Sequence, residues 1–254
     1  MDAKLNYVLQ LADTCLIHAQ RLGEWCGHAP VIEEDLALSN MALDLLGQAR
    51  GLLTYAGQLE GAGRDEDQLA FLREERDYRN LVLVELPNGA ASPSDGSGLR
   101  DFAFTTLRNA AVAIWLELLY ERLQASPDTE LAGIAAKSLK EVRYHRQHSS
   151  DWVVRLGDGT PESRARMQAA LGVLWPYFNE LFAAAGVDGV GPAWAELQPE
   201  WRARWATLLQ EATLTLPRDS AMQPQGILGI HSEHMGHLLA TMQHLQRAYP
   251  GGVW

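Results

Sequence analysis

The chain has 254 residues, 47% of them hydrophobic and 21% charged, enough to bury a large core in an ordinary soluble fold. Its formal net charge of -11 is a poor match for nucleic acid or anionic lipid, both of which call for a basic face. The two cysteines, Cys15 and Cys26, fall on one predicted helix too far apart to bridge, so a reducing cytoplasm is the expected compartment.

The start, Met1-Asp2-Ala3-Lys4-Leu5, has no basic segment followed by an apolar block and does not read as a signal peptide. Apolar residues then recur at three- and four-residue spacing, which predicts helices over 3–27 and 32–60. His28-Ala29-Pro30 separates them, and Gly61-Ala62-Gly63 closes the second. So short a connection makes the two antiparallel neighbours. A shorter helix is expected over 67–85. Residues 87–98, rich in Pro, Gly and Ser, read as a flexible loop and a long crossover. Helices over 99–125 and 129–156 form a second hairpin, with Ser126 or Asp128 as the cap of the later one. The densest apolar run, Ala110 to Leu119, is broken by Glu117, and no stretch approaches the roughly 20 apolar residues of a membrane span. Further helices are expected over 162–185, started by Thr160-Pro161 and bent at Pro176, and over 199–215 and 229–248. The plan is all-α: a single domain, 1–254, with a ferritin-like four-helix bundle core of two antiparallel hairpins joined by a long crossover, plus additional C-terminal helices. A bundle of other connectivity is the competing plan, and the halves 3–60 and 99–156 resemble each other only in layout.

Bundles of this plan that hold two irons use Glu-x-x-His on each of two helices and a carboxylate from each of two others. The run Glu141-Val-Arg-Tyr144-His145 misses that motif by one residue, with Tyr144 in the histidine slot. On the second helix the same slot reads Asp44-x-x-Gly47. Gly47 and Gly51 suit close packing between helices rather than metal. The competing reading of Asp44 is a buried or half-buried carboxylate paired with an arginine or an amide. Glu141, His145, His148 and Trp152 share one face of their helix, which keeps a ligand pair one turn apart open, although both histidines also suit a satisfied interior. The first helix offers Asp13, Gln20 and Glu24 along one line. The third core helix offers Glu117 and Glu121, which equally suit a solvated face. A working site needs most of six ligands, and two empty histidine slots argue that the metal has been lost.

The histidine-dense run His231-Ser-Glu-His234-Met-Gly-His237 lacks the zinc-protease spacing, since Ser232 stands where the glutamate belongs. Capping, packing or a partner contact is the plainer reading. No Gly-x-Gly-x-x-Gly or P-loop is present.

Several runs together carry a family resemblance: Arg21-Leu-Gly-Glu-Trp-Cys-Gly-His-Ala-Pro30, Asp35-Leu-Ala-Leu38, Asp44-Leu-Leu-Gly-Gln-Ala-Arg50, Asp77-Tyr-Arg-Asn-Leu-Val-Leu-Val-Glu-Leu-Pro-Asn88, Lys140-Glu-Val-Arg-Tyr-His145, Glu211-Ala-Thr-Leu, His231-Ser-Glu-His234 and Gln243-His-Leu-Gln-Arg247. From about residue 5 to Trp254 the chain resembles the structural, C-type subunits of bacterial phenylacetyl-CoA epoxidases. The resemblance implies a ferritin-like bundle in aerobic phenylacetate degradation. It also implies a catalytic A-type subunit that carries the di-iron centre and epoxidises the aromatic ring, and a separate reductase that supplies its electrons. The C-type subunit would pair with the A-type subunit, support it, and hold neither a metal nor a catalytic residue of its own. None of the matched runs is a catalytic motif, so no catalytic role is carried onto any residue.

The leading expectation is therefore a non-catalytic scaffold subunit with no cofactor of its own. Self-association is a further expectation, and nucleic acid and membrane are not expected partners. Trp25, Trp115, Trp152 and Trp175 are candidates for interface anchors or for core. Two other readings are a self-sufficient di-iron oxidase using Asp44, Glu141 and His145, and a small-molecule binder with a pocket at the bundle centre.

Overall fold

The computed structural model describes residues 2–89 and 100–252. Most of the crossover expected over 87–98, together with Leu99 and Trp254, lies outside the described residues. The fold is all-α; among the described residues only two isolated bridges, Val187–Gly191 and Gln225–Ile230, have β character. The chain divides into two compact units, one built from residues 1–28, 32–86 and 224–254, the other from 29–31 and 87–223.

The first unit is a helix hairpin, α1 (Ala3–Gly23) against α2 (Ile32–Glu60). Asp2 caps α1 by accepting the Leu5 N–H at 3.1 Å, and α1 is buried along almost its whole length. Glu33, Glu34 and Asp35 put negative charge in the first turn of α2, where the helix dipole favours it. Near the other end of α2, a Cβ at Gly57 would lie 2.3 Å from the Arg64 carbonyl oxygen, so the chain can fold back onto the helix only over a glycine.

The helix predicted over 67–85 is instead a short α3 (Glu66–Phe71) followed by single 3-10 turns at Glu75–Asp77 and Val82–Val84. The reason is tertiary. The Arg79 N–H donates to the Asp13 carboxylate at 2.8 Å and the Leu81 N–H to the Thr14 hydroxyl at 3.2 Å, both on α1. Those donors would otherwise have extended the helix. The C-terminal segment returns to this unit as α8 (Glu233–Met242) and α9 (His244–Ala248). They replace the one helix predicted over 229–248, because Ser232 and Gln243 are both occupied in binding the 73–85 segment.

The second unit is a second hairpin, α4 (Phe102–Leu123) and α5 (Thr129–Gly157), with α6 (Pro161–Leu174) and α7 (Gln198–Glu211) packed on it. Of the two predicted caps of α5, Asp128 takes the role, accepting the Leu131 N–H at 3.0 Å. Thr160 and Pro161 begin α6, as their spacing predicts. Pro176 does more than bend it: the α-helix ends at Leu174 and Trp175–Phe182 continues as 3-10. Helix α7 stops at Glu211, short of the predicted 215, and Thr213 then takes a left-handed φ of 55°.

Helix α4 is long and apolar enough to cross a membrane by length and composition, contrary to the expectation above, but 94% of that stretch is buried in the fold. It is the core of its unit. Trp201 donates its indole N–H to the Ala111 carbonyl at 3.0 Å, and Asn109 bonds Ser149 of α5 at 2.7 Å. Trp201 stacks on Trp205, and Trp115 meets Trp194 edge-on. Trp25, Trp115 and Trp175 are buried, so these three belong to the core rather than to an interface. Trp152 is half-buried, edge-on to Phe102.

Candidate functional site

The two failed histidine slots face outward. Tyr144 on α5 is 51% exposed, its ring 5.8 Å from that of His148, while His145 is buried and Glu141 half-buried. On α2, Asp44 is half-buried and Gly47 is exposed, with no atom within 4 Å of where its Cβ would stand. The close helix packing expected at Gly47 is therefore not found among the described residues; the close approach on α2 is at Gly57, to the Arg64 backbone that follows the helix.

Asp13 and Glu117, the carboxylates of α1 and α4, are buried and already neutralised by arginines. Asp13 is fully enclosed and forms a bidentate pair with Arg73, whose Nη1 donates to Oδ2 at 3.0 Å. Burial opposes the charge on Arg73, but the Asp13 carboxylate outweighs it and the guanidinium is held above its usual range. Arg73 lies over the Tyr78 ring, 4.2 Å from its centroid. The Tyr78 hydroxyl donates to the Ala70 carbonyl at 2.5 Å and accepts from Gln243 at 2.8 Å. Burial pushes that phenol up to about 12, so it stays neutral.

Glu117 was readable as part of a solvated face, yet it is almost fully buried. Arg146 touches its carboxylate closely, with Arg204 at 3.3 Å and Arg143 at 3.6 Å. Glu121, which stays partly exposed, and Glu200 extend the network through Arg143 and Arg204. Glu117, Arg146 and Arg204 line an open cleft of about 490 Å³ with Ser150, Thr207 and Glu211.

A third network went unread in the sequence. Glu85 is fully buried and accepts at both oxygens: Asn80 at 2.9 Å on Oε1, the Ser232 N–H and hydroxyl at 2.8 and 2.7 Å on Oε2. His231 Nδ1 lies 2.5 Å from Oε1, and its Nε2 lies 3.2 Å from the Tyr78 carbonyl, a geometry that suits an imidazolium donating at both nitrogens. Burial alone would lower the His231 pKa; the bond to Glu85 and its charge prevail, and the net shift is upward. The one local signal was a glutamate inside an apolar run, Leu81-Val-Leu-Val-Glu85-Leu. His231 is thus a structural partner of Glu85, while Glu233 and His237 of the same run are exposed.

These placements do not suit a di-iron centre. One histidine slot carries no side chain and the other points a phenol to solvent. The carboxylates of α1 and α4 are neutralised by guanidinium groups, and among the described residues no group of three or more His, Cys, Asp or Glu is arranged to hold a metal ion. Cys15 and Cys26 are free thiols, the first buried and the second exposed.

Comparison with known proteins agrees with the resemblance seen in the motifs. The family model described as phenylacetic acid catabolic protein matches residues 1–254. The chain belongs to that family. Its fold is the family's ferritin-like all-α one, and its role lies in phenylacetate catabolism. A curated member, the C-type subunit of 1,2-phenylacetyl-CoA epoxidase from Escherichia coli (strain K12), is 46% identical over 260 residues, covering the whole of both chains.

Proposed function

We propose that this chain is a non-catalytic structural subunit of a di-iron, ring-epoxidising phenylacetyl-CoA monooxygenase of the cytoplasm. It pairs with the catalytic A-type subunit and supports it, and it binds no cofactor of its own; the di-iron centre belongs to the partner, and the reductase serves that partner. The 46% identity to a C-type epoxidase subunit, over the full length of both chains, supports the assignment. The observation that carries the non-catalytic part is the state of the two histidine slots, Gly47 without a side chain and Tyr144 turned to solvent.

Co-expression with the A-type subunit, followed by affinity purification and iron analysis of each chain, tests the reading. A stable heteromer with iron only in the A-type chain is the expected result. A stoichiometric pair of irons in this chain, lost in Glu141→Ala, would instead make it an oxidase in its own right. A chain that stays monomeric and indifferent to the A-type subunit would remove the scaffold role.

A further inference from the structure

The cleft beside Glu117, in the second unit, carries hydrogen-bonding groups that the fold does not use. Its volume is about 490 Å³. One wall is α5, which offers Arg146 and Ser150, one turn apart on the same face. The other wall is α7, which offers Arg204, Thr207 and Glu211 at steps of three and four. Helix α4 supplies Glu117 and Ile114.

Most of the charge here is spoken for. Arg204 reaches Glu117 through Nη1 at 3.3 Å and Glu200 through Nη2 at 2.7 Å. Arg143 divides itself between Glu117 and Glu121. The Thr207 hydroxyl donates to the Ala203 carbonyl at 3.1 Å. Arg146 is different. Among the described residues its one ionic partner is Glu117, met through Nε, which is fully enclosed. The Nη end is what remains for the cleft, and the side chain is 32% exposed. No hydrogen bond within the described residues engages either Nη group or the Ser150 hydroxyl. The buried carboxylate thus fixes a guanidinium by its inner edge and leaves its outer edge, with a hydroxyl one turn away, facing open space.

The surrounding charges limit what can enter. Arg122, Arg143, Arg146 and Arg204 are balanced by Glu117, Glu121, Glu200 and Glu211, so the network carries no surplus to hold a divalent anion. Glu211 has no ion-pair partner among the described residues and repels a second negative charge. Ile114 and Leu208 give the lining an apolar part.

The geometry points to this cleft as a binding site for a small monocarboxylate with an apolar body. The planar carboxylate matches the Nη1/Nη2 edge of Arg146 as a bidentate pair, and one of its oxygens accepts from the Ser150 hydroxyl. The body lies along Ile114 and Leu208. Glu117 is a positioning residue, which holds the fork in place from behind. The inference concerns this chain alone and does not depend on the proposed function.

Titration calorimetry on the full chain tests it, with benzoate, acetate and inorganic phosphate as probes at matched ionic strength. Saturable binding of benzoate, tighter than that of acetate or phosphate, is the expected result. Ser150→Ala removes one charge-assisted hydrogen bond and should weaken benzoate binding roughly tenfold. Arg146→Lys keeps the charge beside Glu117 but loses the fork, and should weaken it by about as much. Circular dichroism checks that both variants fold, and Ser150→Ala breaks no bond of the fold. Absence of saturable benzoate binding overturns the inference. So does benzoate binding that either folded variant leaves unchanged, which would be adventitious. Acetate or phosphate binding as tightly as benzoate overturns the ligand class.

Discussion

Asp13 is the clearest case of a single residue whose role depends on one distant partner. It sits fully buried on α1 and owes its charge compensation to Arg73, sixty positions away in sequence. A buried pair of this kind contributes little over an apolar substitute, but removing one partner strands the other. Arg73→Met should therefore cost roughly 3–5 kcal/mol, and adding Asp13→Leu should recover much of the loss; urea denaturation of the three variants decides it. Glycines give a contrast of the same size. A Cβ at Gly57 or at Gly157 would lie 2.3 Å from a backbone oxygen, of Arg64 and of Ala212 respectively, whereas one at Gly133 meets nothing. Gly57→Ala and Gly157→Ala should each destabilise by about 1–3 kcal/mol. Gly133→Ala should stabilise by about 0.5–1 kcal/mol through helix propensity. Equal effects at all three sites in thermal unfolding would contradict the packing described.

Among the elements, the link between the 73–85 segment and the start of α8 responds to pH. His231 has its pKa raised by Glu85 against the cost of burial. A histidine raised on folding contributes stability that is complete below its ordinary value of 6.5 and fades as pH climbs through the raised folded value. Hydrogen exchange at α8 and at residues 78–85 should therefore quicken between neutral and alkaline pH by more than the intrinsic rate. His231→Gln should flatten that dependence while exchange in α5 keeps its wild-type profile. The sequence showed where α1, α2, α4 and α5 lie because the helical spacing of apolar residues, the turn residues between them and a cap such as Asp128 act locally. Residues 67–85 read as one helix, wrongly, because Asp13 and Thr14, far back in the chain, capture the Arg79 and Leu81 N–H groups. No pattern within the segment records that capture.

At the scale of the molecule, the first unit is discontinuous: its hairpin comes from the beginning of the chain and its α8–α9 cover from the end. Deleting residues 224–254 would strip Glu85 of His231 and Ser232, and Arg73 and Tyr78 of Gln243. The expected result is a protein that loses cooperative unfolding in denaturant and binds a hydrophobic dye; a truncated chain with the full-length midpoint would show the cover to be dispensable.

Helix content, the two hairpins and the two vacant histidine slots were all legible in the residue order, since spacing along a helix is a local property. So was the family, whose runs are contiguous. The destinations of the buried charges were not. Asp13 finds Arg73, Glu85 finds His231 across 146 residues, and Glu117 gathers arginines from α5 and α7. A carboxylate on a helix looks the same in sequence whether it faces water, a metal or a guanidinium. Burial and the nearest opposite charge distinguish these, and both arise only when distant segments pack together.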